Sequence, residues 1–77
     1  MKLYFYTGPN CSLCDLAIEE LNLSACAEQV TIETRNIRND HDWYHRYAVR
    51  IPVLQRADNG QELGWPFSAA DIEEFVH

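Results

Sequence analysis

The stretch GPNCSLCD, residues 8–15, decides the fold, because two cysteines separated by two residues stand where one pattern gives way to another. Upstream, KLYFYT (2–7) has apolar side chains at both sets of alternating positions, which is typical of a strand covered on both faces. The Gly-Pro-Asn turn ends that strand, and a helical pattern begins at Cys11. The cysteine pair is therefore predicted to lie at a strand–turn–helix junction.

The next part of the chain predicts a helix, a strand and a second helix. The first helix is expected from about Ser12 to about Ala25. Its inward face follows the spacing i, i+3, i+4, i+7 and i+11: Cys14, Ala17, Ile18, Leu21 and Ala25. VTIETRNI (30–37) predicts the second strand, and Asn39 or Asp40 can cap a short second helix. The aromatic residues of that helix are Trp43, Tyr44 and Tyr47.

The last third of the chain predicts a hairpin followed by a helix. A third strand begins at Val53, and Asp-Asn-Gly (58–60) indicates a hairpin, because Asn-Gly suits the positive φ angles of a type I′ turn. A fourth strand is expected at about Gln61–Gly64. Ser68 and Asp71 have the spacing of a capping box for the last helix. The inward face of that helix is predicted to be Ile72, Phe75 and Val76.

The resulting order, β-α-β-α-β-β-α, predicts an α/β fold with a small mixed four-stranded sheet and helices on both faces. The crossover through the first helix should make the first two strands parallel, and the hairpin should make the last two antiparallel. A chain of 77 residues is expected to form a single domain over residues 1–77.

Composition excludes several classes of function. The formal charge is −6, from twelve acidic residues against six Lys and Arg, so no basic stripe exists for nucleic acid or an anionic membrane. The apolar run at residues 3–6 is too short for a signal sequence or a membrane span, and we expect a monomeric cytoplasmic protein. Three cysteines are too few for a disulfide framework, and in a reducing compartment a close pair is catalytic or metal-binding more often than structural.

The position of Cys11 predicts that it is a nucleophile. Unpaired N–H groups and the helix dipole at the start of a helix stabilise a thiolate and lower its pKa. Cys14, one turn further on, is close enough to close a disulfide and release a bound substrate. Asp15 and the lack of Lys or Arg between residues 3 and 34 limit the expected depression of the thiol pKa. The alternative is two ordinary buried cysteines, which explains Cys14 better than Cys11.

Two motifs carry a resemblance to a known family. CSLC (11–14) after a strand, together with RIPVL (50–54) before another, resembles the thioredoxin fold and within it the glutaredoxins. The span YAVRIPVLQRADNGQELGWPFSAADIEEF (47–75) is similar to a family of short glutaredoxin-like proteins, many without assigned function. The resemblance implies a Cys-x-x-Cys oxidoreductase that reduces protein or glutathione mixed disulfides. It implies no bound cofactor, with glutathione as reductant or substrate.

The resemblance also implies a substrate-binding site around a cis Ile51-Pro52 bond. The Ile51 N–H and carbonyl would pair with an extended peptide or with the glutathione backbone. Arg46 and Arg50 are candidates, from their position before this loop, for contact with a substrate carboxylate. The alternatives are a trans proline that starts an edge strand, and arginines that form a solvated helix end, with Arg46 and Asp42 as an i, i+4 pair.

Three alternatives of other classes stay open. The same groove beside Pro52 would suit a non-enzymatic module that binds a protein partner. Cys11 and Cys14 with His41 and His45, which share a helix face, would make a Cys2His2 zinc set. The gap between the cysteines and the histidines is longer than the roughly 12 to 15 residues of a zinc-finger pattern. An iron–sulfur cluster shared between two chains is a further possibility at the level of the family.

Overall fold

The computed structural model describes all residues, 1–77, and its elements follow the predicted order. The strands are β1 (Lys2–Thr7), β2 (Thr31–Asn36), β3 (Val53–Arg56) and β4 (Glu62–Gly64). The helices are α1 (Ser12–Leu23), α2 (His41–Tyr47) and α3 (Ala69–Phe75), with a 3-10 turn at Ile37–Asn39. No helix has both the length and the apolar character that crossing a membrane requires.

The four strands form one sheet in the order β2-β1-β3-β4. β1 is parallel to β2 and antiparallel to β3, and β4 is antiparallel to β3. The interior place of β1 confirms the prediction made from its apolar residues at both alternating positions. Phe5 belongs to the core on one face of the sheet, and Tyr6 belongs to the core on the other.

Each face of the sheet is covered by helix. The larger core cluster joins the sheet to α1 and α3, and its buried members are Phe5, Cys14, Ala17, Leu21, Cys26, Leu54, Phe67 and Ile72. The smaller cluster joins the sheet to α2 and the 3-10 turn, and its members are Tyr6, Ile37, Tyr47 and Val53. These two clusters confirm the predicted mixed sheet with helices on both faces.

Helix α1 differs from its prediction in length and in face. It ends at Leu23 because the Ser24 hydroxyl and N–H both donate to the Leu21 carbonyl, at 2.7 and 3.2 Å, while Ser24 itself is extended. Ala25 therefore lies outside the helix. The inward face is narrower than predicted, because Ile18 is 45% exposed whereas Cys14 and Ala17 are buried.

The predicted helix caps are confirmed, whereas the predicted hairpin turn is not. The Asp40 Oδ1 accepts from the N–H groups of Asp42 and Trp43, and Ser68 and Asp71 form the full capping box. A type I′ turn requires positive φ at both central residues, but in this hairpin only Gly60 has one, 75°. The predicted type I′ turn is therefore wrong. The loop is longer, because the last ladder bond joins the Arg56 N–H to the Gln61 carbonyl and leaves four residues between them.

Candidate functional site

The two cysteines are joined in a disulfide at the start of α1, with their Cα atoms 5.2 Å apart. Cys11 is the N-cap residue and is partly exposed, whereas Cys14 lies in the first turn and is 2% exposed. The Cys14 N–H donates to Cys11 Sγ over 3.1 Å. The start of the helix therefore supplies the Cys11 sulfur with a hydrogen-bond donor, and Cys11 is the more exposed residue of the pair.

A surface depression of about 400 Å³ surrounds the pair. The turn that leads into it contains Asn10 at φ 56°, a left-handed conformation that asparagine tolerates better than most residues. The other lining residues come from the end of β1 and the first turns of α1: Thr7, Gly8, Ser12, Asp15 and Ile18. Asp15 is the one ionisable side chain among them, so no cation stands beside the sulfur atoms.

The Ile51-Pro52 bond is cis, which confirms the prediction. Its loop packs on the turn that carries the cysteines, because a Cβ atom added to Gly8 would lie 3.0 Å from the Ile51 Cδ1. The Ile51 N–H donates to the Tyr47 carbonyl over 3.0 Å, and the Ile51 carbonyl accepts no bond within the chain. Of the two backbone groups expected to pair with a substrate, the N–H is thus already bonded and the carbonyl is available.

A strand–turn–helix with Cys-x-x-Cys, set against a cis-proline loop on a four-stranded mixed sheet, is the arrangement implied by the glutaredoxin resemblance. The family model described as Glutaredoxin-like domain (DUF836) matches residues 2–77. The chain belongs to this glutaredoxin-like family.

Solved structures agree with the family. The chain is similar to protein XcR50 from X. campestris, with 34% identity and a TM-score of 0.80 over 96% of this chain and 93% of that one. Thioredoxin 1 from Thermosipho africanus TCF52B has the same fold, with a TM-score of 0.65 at 18% identity over 99% and 94% of the two chains. The chain matches none of the curated proteins.

In this glutaredoxin-like domain Arg50 is part of an internal network. Its Nη2 donates to the Glu62 Oε1 over 2.9 Å, and the Tyr47 hydroxyl donates to the Glu62 Oε2 over 2.6 Å. Burial and the bond to Glu62 raise the pKa of the Tyr47 hydroxyl. Burial opposes ionisation of Glu62, but the bonds from Tyr47 and Arg50 outweigh it and lower the Glu62 pKa. The network ties α2 and the cis-proline loop to β4.

Arg50 and Arg46 differ from their predicted pairings. The Arg50 guanidinium, expected to contact a substrate carboxylate, is held by Glu62, although its side chain is 46% exposed. The predicted Arg46–Asp42 pair is wrong, because no ion pair joins them; both side chains line a cavity on the α2 face instead.

The N–H groups that begin α3 are bonded within this glutaredoxin-like domain. The Ala69 N–H donates to the Glu20 Oε1 over 3.1 Å, and the Ser68 N–H donates to the Asp71 Oδ2 over 2.9 Å. The contact from Glu20 crosses from α1 to α3, and no sequence pattern indicates it. The preceding Trp65-Pro66 bond is also cis.

The structure does not assemble the alternative Cys2His2 zinc set. His41 and His45 are exposed on α2, on the opposite face of the sheet from α1, and no three His, Cys, Asp or Glu side chains come close enough to hold a metal ion. Cys26 is a free thiol, 4% exposed, in the same core cluster as Cys14.

Proposed function

We propose that this protein is a cytoplasmic, monomeric thiol–disulfide oxidoreductase of the glutaredoxin type. The observation that carries the proposal is the Cys11–Cys14 disulfide at the start of α1, with Cys11 partly exposed and Cys14 buried. A structural disulfide does not need its two cysteines to differ in exposure. Thiol–disulfide exchange needs one accessible cysteine that attacks the substrate and a second cysteine that resolves the mixed disulfide.

The reduced protein starts the reaction through the Cys11 thiolate. The thiolate attacks one sulfur of the substrate disulfide, that S–S bond breaks, and the first substrate thiolate leaves and takes a proton. Cys14 then attacks the Cys11 sulfur and releases the second substrate thiol. The substrate gains two electrons, and the protein keeps the Cys11–Cys14 disulfide.

The cis-proline loop supplies the substrate contact. The free Ile51 carbonyl accepts a backbone N–H from an extended peptide or from glutathione, beside the turn that carries Cys11. Pro52 fixes the bend of the loop, and Arg50 remains accessible at its side. No bound cofactor takes part, and a thiol such as glutathione, or a reductase, returns the protein to the dithiol.

Turnover of a mixed disulfide of glutathione and a small thiol tests the proposal. Cys11→Ser should abolish turnover. Cys14→Ser should trap the mixed disulfide on Cys11, which mass spectrometry detects. Cys26→Ala is the matched control and should keep the wild-type rate, because this thiol is outside the pair. Equal rates for wild type and Cys11→Ser would reject the enzyme and favour the non-enzymatic binding module.

A further inference from the structure

A groove of about 520 Å³ lies between α1 and the segment that precedes α3. Its apolar wall is formed by Leu16, Trp65 and Phe67, and its acidic rim by Glu19, Glu20 and Asp71. We call it the α1–Trp65 groove. It is distinct from the depression around the disulfide, because the two share no lining residue.

The apolar wall of the α1–Trp65 groove is open to solvent on one side. Leu16 is 46% exposed although it lies in a helix, whereas Phe67 is 4% exposed and forms the base. Trp65 stands edge-to-face on Phe67 with the ring centroids 5.1 Å apart, and it is only partly buried. Rigid aromatic rings beside an exposed leucine form a surface that an apolar side chain can cover.

The acidic rim is not neutralised by the chain. Glu20 and Asp71 accept backbone N–H groups, and Glu19 accepts no hydrogen bond. None of the three belongs to an ion pair. Hydrogen bonds from backbone N–H groups orient these carboxylates and leave their negative charge in place.

Charge is distributed unequally among the helices. None of the six Lys and Arg residues belongs to α1 or α3, although Arg56 of β3 reaches the end of α3, where its Nη1 donates to the Phe75 carbonyl over 3.0 Å. Helices α1 and α3 carry only acidic charges: Asp15, Glu19, Glu20, Asp71, Glu73 and Glu74. The groove itself is lined by Glu19, Glu20 and Asp71 and by no Lys or Arg, so it is complementary to a cationic partner.

The α1–Trp65 groove is within reach of the disulfide. Leu16 follows Cys11 by five residues in one helix, which corresponds to about 7.5 Å along its axis. Asp15 lines the depression and Glu19 lines the groove, and residues at i and i+4 are neighbours on a helix surface. An extended peptide of about three residues spans this distance.

We propose that the α1–Trp65 groove binds the segment flanking the disulfide of a protein substrate, and that this segment combines an apolar side chain with lysine or arginine. This proposal rests on the proposed oxidoreductase function. The apolar side chain covers Leu16 and Trp65, and the cation pairs with Glu19. The substrate class is thus a basic protein disulfide, distinguished from an acidic one by charge at the groove.

Rates of single-turnover reduction test the substrate preference. The reduced protein is mixed with disulfide peptides that share one leucine and differ only in flanking Lys or Glu. The Lys peptide should react about tenfold faster at low ionic strength, and the ratio should fall towards one in high salt. Equal rates at low ionic strength would overturn the proposal. Reduction of bis(2-hydroxyethyl) disulfide by the wild-type protein reports separately on the oxidoreductase function.

Matched variants distinguish the groove from overall charge. Glu19→Gln should lower the Lys/Glu rate ratio several-fold, and Leu16→Ala should slow both leucine peptides. Glu28→Gln removes the same charge outside the groove, and Leu23→Ala removes an apolar side chain that is 72% exposed beyond it. Both controls should keep the wild-type ratio and rates. An equal loss of the ratio in Glu28→Gln would overturn the proposal.

Binding without chemistry gives an independent measurement. In oxidised Trp43→Phe protein Trp65 is the remaining tryptophan, so titration with the Lys peptide, its cysteines replaced by serine, should change Trp65 fluorescence. The Glu peptide should not. A fluorescence response with no disulfide reduction would reject the oxidoreductase and keep the docking site. Sedimentation that shows a dimer dispersed by Leu16→Ala would assign the groove to a second copy and overturn the proposal.

Discussion

Gly8 and Ile51 approach each other across the two loops of the site so closely that a Cβ atom on residue 8 would lie 3.0 Å from the Ile51 Cδ1. The loop that leads to Cys11 and the loop that holds Pro52 approach this closely only because residue 8 has no side chain. The same place is 3.7 Å from the Ile37 Cγ1, so an added methyl group would also contact Ile37.

Gly8→Ala should therefore destabilise the fold by about 1 kcal/mol through overpacking. Ile51→Val removes the Cδ1 atom, so adding Gly8→Ala in that background should cost much less. Thermal unfolding of the wild type, the two single variants and the double variant gives the coupling energy between the two substitutions, which should be at least about 0.5 kcal/mol. Gly64→Ala is the control, because nothing lies within 4 Å of its added Cβ atom. Additive effects of the two substitutions would show that the Ile51 Cδ1 does not limit the size of the side chain at residue 8.

The Cys11 thiol of the reduced protein should have a pKa below that of free cysteine. The Cys14 N–H donates to the Cys11 Sγ in the disulfide, and the same bond would stabilise the Cys11 thiolate after reduction. Alkylation rates against pH in Cys14→Ser measure this pKa. Asp15→Asn should lower it further, because a carboxylate in the same depression disfavours a second negative charge. Asp42→Asn on α2 should leave it unchanged. An unshifted Cys11 pKa would contradict the assignment of the nucleophile.

Tyr47→Phe should lower the free energy of unfolding by about 2 kcal/mol, the usual net contribution of a hydrogen bond to a charged group. The substitution removes the 2.6 Å bond to Glu62 and keeps the ring, which stacks on Tyr6 with centroids 4.1 Å apart. Tyr44→Phe is the matched control, since Tyr44 is 54% exposed and its hydroxyl makes no bond. Urea unfolding compares them. Similar losses in both variants would mean that the bond to Glu62 contributes little.

Glu62 should make stability depend on pH in the acid range. Its pKa is lowered from the ordinary 4.5, so its ionised form stabilises the folded chain above that pH. The contribution is lost as the pH falls through the folded-state pKa. Wild type should therefore lose stability more steeply below about pH 4.5 than Glu62→Gln. Glu28→Gln has the same change of charge without a network, and its profile should parallel that of wild type. A parallel profile for Glu62→Gln would contradict the linkage.

The elements that sequence predicts well depend on neighbours along the chain. The Asp40 cap, the Ser68–Asp71 capping box and the Cys-x-x-Cys at the helix start are each set by residues two or three apart. Their bonds form wherever that local backbone forms. The order of strands and helices follows from such signals together with hydrophobic periodicity.

The relationships that sequence misses join distant segments. Glu20 bonds to the Ala69 N–H, and Tyr47 bonds to Glu62, but no spacing rule pairs either set. Ile18 fits the helical period of the core face, yet its side chain is 45% exposed. The face of α1 that packs on the sheet is narrower than the periodicity indicates. The exposure of such a side chain and the choice of such hydrogen-bond partners are decided by tertiary packing between distant segments.

The buried position of Cys26 has a consequence for handling the oxidised protein. Its Sγ lies 3.5 Å from the Ser24 Oγ inside the core, where no disulfide can reach it. Unfolding exposes this third thiol in a chain that still contains the Cys11–Cys14 disulfide. Exchange then scrambles the bridge into non-native pairings at neutral and alkaline pH, so the native connectivity survives denaturation only in acid or after the thiol is blocked.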